Sequence, residues 1–147
     1  MKKEIVILCI GSSQITGDSV GPMVGDLLKE KGVRAYVYGT MSRPVNAKNL
    51  EDYIGMIKEH HTGSLVMVVD ATVGEEGDIG EIRINRNGVK PGGAVNKDLP
   101  RVGDIGILGV VAKRSNNLVN ALMGVDALLV RKIARRISSL IVSTLGA

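Results

Sequence analysis

Phenylalanine and tryptophan are absent from this chain, and its only aromatic rings outside histidine are Tyr36, Tyr38 and Tyr53. The core must therefore be built from Val, Ile, Leu, Met and Ala. That composition favours a parallel sheet covered by helices over a sandwich packed around large rings. The same lack leaves no aromatic platform on which bases stack, so nucleic acid is not an expected partner despite the formal net charge of +4. Much of that charge lies in "RKIARR", where Arg131, Lys132, Arg135 and Arg136 form two i,i+4 pairs and read as a solvated helix face. The single cysteine, Cys9, sits in an apolar run, so no disulfide can close within the chain and a small core residue is expected. Apolar stretches of membrane-spanning length are missing too, so no membrane partner is expected. The opening "MKKEIVILCIGSS" superficially resembles a signal peptide, but its apolar run of about six residues is shorter than an h-region. The expected location is cytoplasmic.

What is present is a globular composition: 44% of the 147 residues are hydrophobic, enough for one domain over residues 1–147 with a sizeable core. Residues 4–10 form a continuous apolar run, the pattern of a strand buried on both faces. Val20, Met23, Val24, Leu27 and Leu28 then recur at helical spacing, with Pro22 in the first turn and Gly32 as the stop. "VRAYVYG" (33–39) reads as a second strand, and Asn46 as the cap of a helix with the stripe Leu50, Tyr53, Ile54 and Ile57. "SLVMVVDA" (64–71) is a third buried strand, expected to end on Asp70. The order βαβαβ predicts a doubly wound α/β sheet. Residues 79–85 alternate as a strand with one exposed face, and residues 105–112 form another strand. A short helix over 115–123 precedes a long amphipathic one with Leu129, Ile133, Ile137, Leu140 and Ile141 inward. Residues 86–104 between these strands are glycine-rich and aperiodic, a length at which loops in compact domains are functional or disordered.

"CIGSSQITGDSVGP" (9–22) poses the chemical question, because a glycine-rich turn between strand and helix suits either an anion or a side chain. A phosphate loop of the GxxxxGK[ST] kind needs a lysine, and residues 12–19 contain none. The GxGxxG fingerprint is missing as well, since Ser12 and Ser13 follow Gly11. Instead Asp18 stands at the helix start, filling its positive end with a carboxylate. If the strand order begins 2-1-3, the first and third strands are neighbours about 4.8 Å apart. Asp18 and Asp70 then overlook one crevice at the carboxyl ends of the strands. Two carboxylates that close share a proton, and one can activate water while the other donates. The alternative is structural: Asp18 as a helix cap and Asp70 satisfying turn backbone.

"TGDSVGP", "VVDATVG" and "KPGGAVNKDLPRVGDIGILGVV" closely resemble the YyaC family of sporulation-associated proteins, over essentially the whole chain. That family is similar to the core of the germination protease of spore-forming bacteria and, more distantly, to the hydrogenase maturation endopeptidases. The resemblance implies a single-domain α/β fold, three-layer α/β/α with a mostly parallel central sheet. It also implies a peptidase-like hydrolase of protein or peptide substrates, with Asp18 and Asp70 as the catalytic pair. The maturation endopeptidases engage nickel through two acidic residues and a histidine. Here His60 and His61 fall at the C-terminal end of the second helix, where the dipole favours them, and neither matches that ligand. No metal or other cofactor is expected. Within 86–104, Lys90, Lys97, Asp98 and Asp104 lie beside Pro91 and Pro100, as in a loop that folds over a crevice. Thr16, Gly17, Lys97, Asp98 and Asp104 are the expected substrate-binding residues. Two other readings remain open: a binding module without turnover, and metal-assisted hydrolysis with Asp18 and Asp70 as oxygen ligands. A homo-oligomer is also left open.

Overall fold

The computed structural model describes residues 3–91 and 101–147. Its centre is β1 (Ile5–Cys9), in which Val6, Ile7, Leu8 and Cys9 are wholly buried. An apolar run without alternation must be covered on both faces, and the topology achieves this. β1 pairs in parallel with β2 (Tyr36–Tyr38) and, on its other side, with β3 (Leu65–Gly74). β5 (Ile105–Lys113) continues the parallel sheet beside β3, and β4 (Ile82–Asn85) closes it antiparallel. The five strands lie in the order β2-β1-β3-β5-β4, which begins 2-1-3 as expected.

Helices cover both faces. α1 (Val20–Glu30) and α4 (Ala127–Leu145) pack Val24, Leu28, Ile133 and Ile137 onto Ile7, Cys9, Met67 and Val69. On the opposite face α2 (Leu50–His60) covers Val6, Leu8 and Val68 with Leu50 and Ile57. The result is a single α/β domain of three layers. Burial pushes the Cys9 thiol up, which leaves it an inert core group.

Three expected details differ. β2 is only Tyr36–Tyr38, not 33–39, because β1 offers it partners at Val6, Ile7 and Leu8 alone. Val33 and Arg34 instead donate their N–H groups to Leu28 and Gly146. The cap position of α2 is Asn49 rather than Asn46, whose carbonyl accepts the Asn49 and Leu50 N–H groups in the turn before the helix. Finally, Leu140 is exposed. The buried stripe of α4 runs through Val130, Ile133, Ala134, Ile137, Ser138 and Ile141, and Leu140 lies beyond its edge.

Candidate active site

The crevice begins where β1 ends. Cys9 is the last β1 residue, opposite Val69, and after Ile10 the chain turns away so that Gly11 donates to the Val45 carbonyl at 2.8 Å. β3 does not stop at Asp70 as expected but runs on to Gly74, because Ala71 to Gly74 stay paired with β5. Asp70 is therefore the first β3 residue past the end of β1. Its side chain has the parity of Val66 and Val68, the α2 face of the sheet. A crevice of about 370 Å³ opens there, and both Asp70 and Asp18 line it.

Asp18 reaches this crevice through a tight turn. The Thr16–Asp18 segment is one turn of 3-10 helix, and α1 begins after it with Ser19 as its cap position, so Asp18 is not the helix cap. The Ser12 N–H donates to the Asp18 carbonyl at 2.8 Å, folding the turn back onto its own start. Gly11 makes that closure possible, since a Cβ there would stand 2.2 Å from the Asp18 carbonyl oxygen. Gly17 serves the other side, where a Cβ would meet the Leu122 carbonyl oxygen at 2.6 Å. The short α3 (Leu118–Met123) thus backs the turn that carries Asp18.

Burial dominates the electrostatics. It raises Asp18 from the ordinary 3.8 to about 6, with the Ser12 backbone N–H opposing the rise. Burial also lifts Asp70 well above the ordinary value, the neighbouring Asp18 charge adds to this, and the Ala71 N–H opposes it. That N–H donates to Asp70 Oδ1 at 2.8 Å. Asp70, only 8% exposed, is accordingly the more deeply buried partner and the one whose proton the ionised Asp18 helps to retain. One ionised and one protonated carboxyl facing the same crevice can accept a proton and donate one in a single reaction.

The other expected substrate contacts are distributed differently. Thr16 and Gly17 belong to the turn behind Asp18, with Gly17 buried against α3, and neither lines the crevice. Asp104 is at the opposite end of the sheet, where Oδ2 accepts the Val66 N–H at 2.9 Å. Since Asp70 pairs with Leu108, Asp104 lies about 13 Å down the strand from it. Lys97 and Asp98 lie outside the described residues. Both flanks of their loop nevertheless line the crevice through Lys90, Pro91 and Arg101. Asn46, Asn85 and Arg114 also line it and were not expected. Arg114, directly after β5, and Asn46, in the loop after β2, follow the carboxyl ends of parallel strands, the position at which such sites form.

His61 is remote from the pair: its ring is buried between Glu4, at 2.5 Å, and the Tyr38 hydroxyl, at 2.6 Å. Among the described residues no three His, Cys, Asp or Glu side chains cluster as a metal site. Two carboxylates are hard oxygen donors, a set that suits Mg or Mn better than a soft metal.

A family model described as "Protein of unknown function (DUF1256)" matches residues 1–140. A Bacillus subtilis (strain 168) protein described as uncharacterized protein YyaC is 46% identical over 110 residues, covering 74% of this chain. The match spans about half of that relative, 54% of its length. Among solved structures, the [NiFe] hydrogenase maturation protease HycI from Thermococcus kodakarensis KOD1 is similar at a TM-score of 0.67 and 24% identity. That likeness covers 97% of this chain and 92% of the other. The hydrogenase maturating endopeptidase HybD from E. coli is similar at a TM-score of 0.54 and 12% identity, over 97% of this chain and 95% of its own. At such identities the likeness is one of fold. No helix among the described residues is long and apolar enough to cross a membrane.

Proposed function

The chain belongs to the DUF1256 family, and we propose that it is a peptidase-like hydrolase in which Asp18 and Asp70 act as an aspartate pair on a protein or peptide substrate. The observation that carries this reading is a buried and a half-buried carboxyl group lining one crevice, both raised by burial. The maturation-protease fold supports the reaction class. A cytoplasmic, sporulation-associated, germination protease-like setting is part of the same proposal, as the motif resemblance implies.

In this mechanism ionised Asp18 takes a proton from water as the water oxygen attacks the peptide carbonyl carbon. Protonated Asp70 donates to the carbonyl oxygen, which becomes a hydroxyl of the tetrahedral intermediate. Collapse breaks the C–N bond, Asp18 passes its proton to the leaving nitrogen, and Asp70 recovers its own. The rate kcat/KM then rises as pH passes about 6, where Asp18 ionises, and falls at higher pH as Asp70 loses its proton.

The test is incubation with small spore-type proteins, reading new termini by mass spectrometry for wild type, Asp18→Asn and Asp70→Asn. Cleavage by wild type and loss in both variants is expected, with a bell-shaped pH profile. Cleavage that survives both substitutions overturns the reading. Saturable peptide binding without turnover by wild type would make the crevice a binding module.

A further inference from the structure

β4 is the outermost strand of the sheet, and no other strand among the described residues pairs with its free side. An edge strand directs alternate backbone N–H and C=O groups outwards, ready for another strand. On it Ile84 is 56% exposed, and Leu140 on α4 is 42% exposed. These two residues, with Ile82, Arg135, Arg136 and Ser139, line a shallow groove of about 530 Å³. Arg136 donates from Nη1 to the Gly80 carbonyl at 2.9 Å, tying α4 to the segment that leads into β4.

Among the described residues the basic groups of this groove have no ion-pair partner. The nearby carboxylates Asp78 and Glu81 are held by Arg83, at 2.9 Å and 3.4 Å. Among the described residues Arg135 and Arg136 make no ion pair, and neither do Arg131 and Lys132 on the same helix. An exposed apolar edge beside unpaired arginines matches a strand that carries apolar and acidic side chains.

We propose that this groove docks an extended acidic segment of a partner protein, which adds to β4 as a further strand. Its apolar side chains rest on Ile82, Ile84 and Leu140, and its carboxylates meet Arg135 and Arg136. A second copy of this chain pairing through the same edge would set these arginines against each other. Nucleic acid would find no ring to stack on, since Tyr36 lies on the opposite edge strand and Tyr53 on α2.

The test is fluorescence anisotropy with a labelled peptide of about ten residues alternating glutamate and valine, against one alternating lysine and valine. Saturable binding of the acidic peptide alone is expected, weakened by salt and about tenfold weaker in Arg135→Glu. Hydrogen exchange at the β4 amides should slow when the peptide binds. Asp70→Asn should bind the peptide as wild type does, separating this surface from the crevice. Circular dichroism verifies that the exposed Arg135→Glu variant is folded. Equal binding of both peptides, affinity unchanged by Arg135→Glu, no binding at all, or tighter binding of an RNA oligonucleotide would each overturn the proposal. So would self-association through this edge in sedimentation.

Discussion

Replacing Asp70 by asparagine keeps the side chain's shape and the oxygen that accepts the Ala71 N–H at 2.8 Å, but removes its proton equilibrium. In the unfolded chain both aspartates ionise near 3.8, whereas the folded chain keeps Asp18 protonated up to about 6 and Asp70 well beyond the ordinary range. Both folded values are raised, so their contribution to stability is complete below the unfolded value and is lost as pH climbs through the folded ones. From 3.8 upward the folded state therefore holds protons that the unfolded chain has released, and stability falls as pH rises. Asp18 accounts for about 3 kcal/mol of that loss over its whole window, from 3.8 to about 6. Asp70 adds a loss in the same direction, which continues as pH climbs through its own raised value. In Asp70→Asn the Asp70 part of this loss disappears, so the variant's stability falls less steeply with rising pH than that of wild type. Urea unfolding followed by circular dichroism across this range measures it. For a chain of 147 residues each 1 kcal/mol corresponds to about 2–4 °C in Tm, so thermal scans would show the same trend. Parallel stability curves for wild type and Asp70→Asn would refute the reasoning, because they would mean that Asp70 ionises as freely folded as unfolded.

Gly11→Ala places a Cβ 2.2 Å from the Asp18 carbonyl oxygen and 2.7 Å from Pro22 Cδ, so the turn must open. A loss of about 1–3 kcal/mol and reduced cleavage are expected, and wild-type values for both would contradict the role given to this turn. Ile137→Ala, at a fully buried position, should cost about 2–5 kcal/mol, whereas Leu140→Ser should stay within about 0.5 kcal/mol. Similar losses at the two sites would show that the buried face of α4 has been misassigned.

The sheet was legible because its signals are local and redundant. The run through β1 has no polar residue to place on a solvated face, and the stripe of α1 keeps helical spacing from Val20 to Leu28. That Asp18 and Asp70 line one crevice followed from strand order, since parallel neighbours bring the chain after β1 beside the middle of β3. What periodicity does not encode is where pairing stops. Nothing around Asp70 says that β1 ends first while β5 supports β3 as far as Gly74. The same blindness put Asp104 near the crevice: its loop reaches the site, but the residue itself sits just before β5, four positions below the partner of Asp70. Leu140 follows Ile137 at helical spacing, yet the stripe is centred on Ile137 and Ile141, and Leu140 falls to the β4 side. Gly17 was expected to approach a ligand closely and instead approaches α3; a glycine in a turn signals close contact but not with what.

Carbon-13 NMR titration of the aspartate carboxyls, in wild type and in Asp18→Asn, tests the central claim most directly. The account expects Asp18 to titrate near 6 and Asp70 well above the ordinary carboxylate range, with the Asp70 value falling when the Asp18 charge is removed. Two carboxyls that both titrate near the ordinary 3.8, unmoved by each other's substitution, would contradict it.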